Sequence, residues 1–535
     1  MEFEFTIKNY RCFSDENPAR FTIRPGFTAF VGVNNSGKSS LLRLFYELRS
    51  VFSIAYNVLS SLLSMSQPAA LLTKEHRVSF LSPVQDPDQI FTDTNNRDLT
   101  VVIKSWQSGS KGNPRLHPFE LAITIRRADK HCTFQIITPE GPLLKGSETL
   151  STSNGVLDVS EHLVGGQVTD TVFLKPIIDL LFDLIGSLYV GPFRNAVNIG
   201  SNENYYDIQV GQGFIRKWRE IKTGPLKKQN EAAFQLTKDI QRIFEFEEFE
   251  INPSADDTTL QVIINGRSYK LPDLGAGLTQ FILVLANAAI REPAYIFIDE
   301  PELNLHPSLQ LDFLTTLGSY ARKGVFFATH TIGLARASAD RIYAVRMGKQ
   351  GSEVKPLEST PRLAELLGEL SFSGYRELGF RTVLLVEGVT EVKTLQLKKD
   401  HRVLLIPLGG AQLINETTEA ELAELTRIPA DFYALIDSEK ASKEEPLEAS
   451  REAFRKMCEK VGIRCHVLER RALENYFTDA AIKQEKGSKY RALGPYESLK
   501  EVDPAWAKSE NWRIARRMSF TDTEKTDLSE FLQKL

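Results

Sequence analysis

Phe30-Val31-Gly32-Val33-Asn34-Asn35-Ser36-Gly37-Lys38-Ser39-Ser40 carries the spacing G-x-x-x-x-G-K-[ST] of a phosphate-binding loop, at Gly32, Gly37, Lys38 and Ser39. The residue types follow from the chemistry. Two glycines let the backbone curl so that successive N–H groups point inward at phosphate oxygens. Lys38 is expected to set its ammonium against the β- and γ-phosphates of ATP, and the Ser39 hydroxyl to ligate Mg²⁺. Asn34, Asn35, Gly37 and Ser40 complete the expected nucleotide contacts. The flanks agree: Phe27–Val31 reads as a buried strand entering the loop and Leu41–Phe45 as the helix leaving it. That helix adds its positive amino-terminal dipole to the anion site.

At 535 residues the chain is too long for one core, so two or three domains are expected. Apolar content of 42% and charged content of 25% are ordinary for a globular protein. The net charge of −4 argues against a uniformly basic nucleic-acid binder while leaving room for a local basic channel. Cys12, Cys132, Cys458 and Cys465 form no C-x-x-C pair and fit no zinc spacing. Buried structural thiols and a reduced, cytoplasmic setting are therefore expected, and no secretory leader is read at the start. No run of 18 apolar residues is present, so no membrane span or membrane partner is predicted.

Working outward, Phe3, Phe5, Ile7, Phe21 and Ile23 alternate with polar residues as in short antiparallel strands. Val51–Leu63 is helix-like, Leu99–Ile103 and Leu121–Ile125 are strand-like, and polar loops lie between them. This stretch reads as strands decorating a nucleotide-binding core, plus an inserted lobe. Phe234–Phe249 reads as an amphipathic helix, by default a solvated face. The second nucleotide landmark is Ala294-Tyr295-Ile296-Phe297-Ile298-Asp299-Glu300-Pro301-Glu302. Its apolar run is a buried strand that delivers Asp299 to the Mg²⁺ shell, with Glu300 placed to polarise the attacking water. Phe326–His330 is a further strand, ending in Thr329-His330.

After Leu363–Leu370, read as a helical linker, strand and helix alternate again. Arg381–Val386 ends in Glu387, Arg402–Leu408 in two glycines, and Phe432–Ile436 in Asp437-Ser438-Glu439. Arg464–Leu468 precedes Leu473-Glu474-Asn475-Tyr476. The alternation implies a small parallel α/β sheet, whose ligands collect beyond the strands' carboxyl ends, where Glu387 and Asp437 fall. Such acid clusters suit Mg²⁺ or Mn²⁺. The segment from Ala480 to Leu535 mixes basic and acidic residues with Tyr490, Tyr496, Trp506 and Trp512, and reads as a helical cap.

Several of these segments together resemble a known family. Ile7–Phe13 is similar to the opening of chromosome-maintenance and DNA-repair ATPases of the ABC type. Leu188–Arg194 resembles their Y-x-G-P-x-R segment. There Arg194 either meets nucleotide or a neighbouring subunit, or sits solvated in a turn. Gln85 and Gln89 are the candidates for the family's Mg²⁺-sensing glutamine. Leu271–Gln280 occupies the place of the ABC signature, where Gly275 and Gly277 would face the γ-phosphate held by a second subunit, with Ala276 replacing the usual serine. D-E-P-E-x-x-L-H-P at Asp299–Pro307 resembles the extended Walker B of the overcoming-lysogenization-defect (OLD) nucleases, in which His330 would lie near the γ-phosphate. Val386–Gly388, Asp437–Glu439 and Leu473–Tyr476 resemble a TOPRIM domain, with Glu439 in place of the second aspartate.

The resemblance implies an α/β architecture. Residues 1–360 would form an ABC-type P-loop ATPase, with about 48–186 carrying the decoration and about 195–250 a candidate helical dimerisation element. Residues 361–480 would form a TOPRIM nuclease and 481–535 a helical tail. It further implies that Glu387, Glu391, Asp437, Glu439 and Glu474 hold the metals, with Glu300 and His330 catalytic in the ATPase. The expected activity is ATP-regulated, metal-dependent DNA cleavage by at least a homodimer, in bacterial defence against phage, alone or with a helicase or a reverse transcriptase and its DNA–RNA product. The competing expectation is an ATP-binding sensor with an idle TOPRIM-like domain that controls a partner nuclease.

Overall fold

The computed structural model describes residues 2–63, 74–80, 86–105, 119–138, 141–142, 149–153, 156–163, 166–192, 204–348, 350–357, 382–396, 403–408, 419, 422–423, 430–518 and 525–535. The candidates Gln85 and Arg194 and the helix read at Leu363–Leu370 lie outside them. The fold is α/β, with antiparallel and parallel sheets.

Two compact units are present. The first comprises Met1–Asn304, Tyr320–His330 and Tyr343–Leu357. Within it, Phe3–Lys8 pairs antiparallel with Ala19–Ile23 on one side and Leu99–Ser105 on the other, in a seven-stranded sheet. The alternation at Phe3, Phe5 and Ile7 sends these side chains into the core. The strands expected near Leu99 and Leu121 form, as Leu99–Ser105 and Glu120–Ile125. The helix expected over Phe234–Phe249 is Lys227–Ile243, and Phe249 instead opens a strand to Pro253, paired with Leu260–Ile264. Phe249 and Ile251 are buried by that pairing, which outweighs the helical pattern.

The sheet that carries the phosphate-binding motif has six strands, in the order Leu188–Val190, Tyr295–Asp299, Gly324–Thr329, Gly26–Val31, Arg341–Gly348 and Gly351–Leu357. The first four run parallel. Gly26–Val31 is buried from Phe27 onward, as a strand covered on both faces must be. Its register pairs Val31 with Thr329, and Asp299 pairs with Ala328 next door, so three strands end side by side. The helix Lys38–Glu47 packs Leu41, Leu42, Leu44 and Phe45 onto this sheet, and Phe45 stacks on Phe297 at 4.2 Å.

The second unit comprises Leu305–Ser319, Thr331–Ile342 and Glu358–Leu535. Its sheet is wholly parallel, in the order Val403–Pro407, Thr382–Val386, Asp431–Ile436 and Arg464–Val467. Leu311 and Ala337 pack against the core formed by Leu384, Val386 and Leu435, which is why Leu305–Ser319 and Thr331–Ile342 group with this unit. Farther along, Phe477, Ile482, Trp506 and Ile514 form a separate apolar cluster, so the interleaved tryptophan at 506 serves packing.

Glu47 ties the amino-terminal segment to the loop's helix. Its fully buried carboxylate accepts from Tyr10 Oη at 2.7 Å and Arg11 Nη2 at 2.5 Å, and pairs with Arg43 Nε at 2.7 Å. Glu47→Ala leaves those donors without their shared acceptor and should destabilise the first unit by about 3 kcal/mol, read by denaturant unfolding.

Candidate functional site

In the first unit the Gly32–Ser39 loop leaves the strand end at Val31. Gly37 adopts φ of +102°, and a Cβ there would stand 2.5 Å from Cys12 Sγ. At Gly32 the obstacle is backbone, with Val345 O only 2.2 Å from an added Cβ. The loop's glycines are thus demanded by left-handed conformation and by close approach. Asn34, Asn35 and Ser39 are exposed and Ser40 half-buried, so the loop presents these side chains outward.

Lys38 is buried, and its Nζ donates to Gly32 O and Val33 O, both at 2.8 Å. It also lies 3.4 Å from His330 Nδ1. Since an ammonium only donates, Nδ1 must accept, which leaves the proton on Nε2 to be donated to Glu300 Oε1 at 3.0 Å. Burial lowers the Lys38 pKa, against the opposing pull of Asp299, Glu300 and Glu302. Glu300 itself sits at φ +51°, a backbone conformation uncommon for a side chain of this size. The strand-end register brings Lys38, Asp299, Glu300 and His330 together.

Both oxygens of Asp299 are sealed from solvent and accept no well-formed hydrogen bond among the described residues. Burial pushes this carboxyl up to about 6, a rise that the Ser39 hydroxyl tempers. An enclosed, unsatisfied carboxylate beside a serine hydroxyl is the donor chemistry that a hard divalent cation completes, so the residues fit Mg²⁺. Farther along, Gly275 caps the helix Ala276–Arg291. Gly275 and Ala276 are exposed, Gly277 is half-buried, and an added Cβ at 275 would meet nothing within 4 Å. Gln280, one turn into that helix, donates to Pro301 O at 3.3 Å and ties it to the turn after Asp299.

In the second unit, Glu387 and Asp437 follow directly on adjacent parallel strands, Val386 being paired with Leu435. Glu387 Oε1 accepts from the Asp437 N–H at 2.8 Å and from Arg451 Nη1, which also reaches Asp437 O at 2.6 Å. Glu391 lies on the helix Val389–Gln396, and Glu474 in the turn Leu473–Tyr476. Burial raises the pKa of Glu387, Glu391 and Glu474.

Asp437, Glu391 and Glu474 converge on Lys508, a residue no sequence motif marks. Its Nζ stands 3.1 Å from Asp437 Oδ2, 3.4 Å from Glu391 Oε1 and 4.0 Å from Glu474 Oε2. Asn511 adds a donor to Glu474 at 3.1 Å. The carboxylates in turn hold the Lys508 pKa well above its ordinary value. Glu439 turns elsewhere, pairing with Arg471 at 3.2 Å, with its backbone at φ +55°. Among the described residues no three His, Cys, Asp or Glu side chains stand as a metal cage. The donor chemistry still suits a hard divalent ion, and in this geometry the ammonium supplies the positive charge.

No protein-family model matches the chain, and no curated protein matches it. Similar solved structures include an Smc head bound to the C-winged helix domain of ScpA, at 14% identity and TM-score 0.35, over 66% of this chain and 97% of that one. An SMC head domain from Thermotoga maritima is similar at 15% identity and TM-score 0.32, over 66% of this chain and 98% of that one. A third, an Smc head with extended coiled coil bound to the C-terminal domain of ScpA derived from Pyrococcus furiosus, gives 11% and 0.33, over 69% and 99%. Likenesses this remote decide nothing about the site, whose chemistry rests on its own residues. Among the described residues no helix is long and apolar enough to cross a membrane.

Two pH-dependent effects follow. A carboxyl whose folded pKa is raised weakens the fold above that pKa and stops doing so as it protonates. Without Mg²⁺, Asp299→Asn should therefore stabilise the protein at about pH 7.5 by roughly 2–3 kcal/mol, an advantage that fades as pH falls below about 6. Thermal unfolding in a chelating buffer reads it. Lys508→Met should instead destabilise at about pH 7.5, with the deficit shrinking as pH falls and Glu391 and Glu474, their pKa values raised by burial, take up protons.

Proposed function

We propose that this chain is an ABC-type ATPase joined to a TOPRIM-type, divalent-metal-dependent DNA endonuclease of the OLD kind, acting in bacterial defence against phage. The observation that carries the reading is a pair of strand-end sites of complementary chemistry. Lys38, Asp299, Glu300 and His330 gather at one parallel sheet, and Glu387, Glu391, Asp437 and Glu474 at another. In the first, the loop N–H groups and Lys38 bind the phosphates of ATP, Ser39 and Asp299 would hold Mg²⁺, and Glu300 accepts a proton from the attacking water. His330 orients Glu300 through its Nε2 proton. The Gly275–Gly277 helix start, exposed at Gly275 and Ala276, serves the nucleotide of a second copy, so the active form is at least a dimer.

In the second site, Glu387, Glu391, Asp437 and Glu474 would hold Mg²⁺ or Mn²⁺, and Glu439 would join them only on leaving Arg471. The ion, when bound, supplies Lewis acidity toward a phosphodiester and a more acidic water. Arg451 fixes Glu387 against the Asp437 peptide, and Lys508 offers its ammonium to the charge of the bound DNA. A helicase, or a reverse transcriptase with its DNA–RNA product, remains the class of partner proposed. One observation favours a second reading, an ATP-binding sensor with an idle TOPRIM-like domain that controls a partner nuclease. Lys508 already pairs with three of the acids, and Glu439 is engaged by Arg471.

Cleavage of supercoiled and linear DNA with Mg²⁺ or Mn²⁺, with and without ATP, separates the two. Glu387→Ala should lower cleavage at least 100-fold while sparing nucleotide binding, and Lys38→Ala should abolish nucleotide binding. Cleavage that persists in Glu387→Ala refutes the nuclease site. Metal binding with no cleavage under any condition, dimer and ATP present, favours the sensor.

A further inference from the structure

The turn that follows Asp299 contains a carboxylate to which the proposed mechanism gives no task. Glu302 Oε1 accepts two hydrogen bonds, from Thr329 Oγ1 at 2.6 Å and from the His330 N–H at 3.0 Å. Thr329 is fully buried, and its strand pairs with the strand that enters the phosphate-binding loop. Glu302 therefore grips the residue pair at the end of the strand, from the opposite turn. That turn is itself fixed, by Glu300 N donating to Ala328 O at 2.9 Å and by Leu303 N donating to Glu300 O at 3.1 Å.

A turn cap alone explains this poorly. The second oxygen, Oε2, is enclosed and has no hydrogen-bond partner among the described residues, which costs free energy that a neutral cap would avoid. The charge also bears on Lys38 and Asp299, both within its electrostatic reach. What a carboxylate provides here is a strong double acceptor, since hydrogen bonds to an ionised acceptor are roughly twice as strong as neutral ones. It is spent on the peptide whose side chain must sit between Lys38 Nζ and Glu300 Oε1.

We infer that Glu302 is a positioning residue for ATP turnover: by clamping Thr329 and the His330 peptide it sets the imidazole bridge between Lys38 and Glu300. The inference rests on the nucleotide site proposed above. It concerns turnover and leaves nucleotide binding to the loop, because Glu302 contributes no hydrogen bond to Gly32–Ser39 among the contacts described.

The test compares Glu302→Ala, Glu302→Gln, His330→Ala and the Glu302→Ala/His330→Ala double variant in the full chain, with Lys38→Ala alongside. Steady-state ATP hydrolysis and the affinity for a fluorescent ATP analogue are measured for each. Glu302→Ala should lower kcat about 10- to 100-fold with affinity changed less than about threefold. Glu302→Gln should recover most of the loss, because its amide oxygen still accepts both bonds. In the His330→Ala background the Glu302→Ala change should cost less than about twofold more, since residues that act through one another are non-additive. Wild-type kcat in Glu302→Ala, or a full additional loss in the double variant, overturns the positioning role. So does a loss of affinity and kcat together that glutamine does not rescue, which marks Glu302 as structural only. Nucleotide binding that survives Lys38→Ala, or absence of turnover in the wild type, instead overturns the site itself.

Discussion

The parallel pairing of Gly26–Val31 with Gly324–Thr329 is the constraint on which the first unit depends. It joins segments almost three hundred residues apart and sets Val31 level with Thr329, while the next strand brings Asp299 level with Ala328. Because parallel strands end at the same edge, the loop, the carboxylates and the histidine all emerge on one rim. A slip of one residue would put Val31 out of level with Thr329 and move every side chain of the strand to the opposite face, where it would meet a different covering layer.

That rim carries an electrostatic conflict that the protein leaves unresolved. Among the described residues, the enclosed oxygens of Asp299 accept no well-formed hydrogen bond and one enclosed oxygen of Glu302 has no partner, while Glu300 holds an uncommon backbone conformation. Lys38 answers with one positive charge, directed at carbonyls and at His330. Unsatisfied charge and strain persist in a fold only where the surrounding packing over-determines them, and here the aromatic stack of Phe45 on Phe297 lies beneath. The second unit treats a similar accumulation of carboxylates differently, by bringing Lys508 and Asn511 from the carboxy-terminal segment onto them. That acid cluster is therefore partly compensated by one ammonium from a distant segment of its own chain.

Much of this was legible in the residues. A glycine-rich loop between strand and helix, and an apolar run ending in Asp299-Glu300, are local patterns whose meaning does not depend on distant sequence. The same holds for the strand ends at Glu387 and Asp437, which the fold sets side by side. One reading failed for a physical reason. The helical pattern through Phe249 yielded to strand pairing that buries Phe249 and Ile251. Glu439 stands with the expected acids in sequence, yet its side chain is taken up by Arg471.

The sequence by itself determined the strand–loop–helix unit around Lys38, the carboxylates that terminate buried strands, and the α/β alternation, because each is written in neighbouring residues and short periods. Only the tertiary structure decided which charges meet. Lys508 lies 71 residues from Asp437, Glu302 reaches across 27 residues to Thr329, and the segments Leu305–Ser319 and Thr331–Ile342 pack with the carboxy-terminal unit. Contacts of that kind leave no mark in local composition. They arise when packing brings far-separated side chains into a space where an unpaired charge would otherwise be left without water.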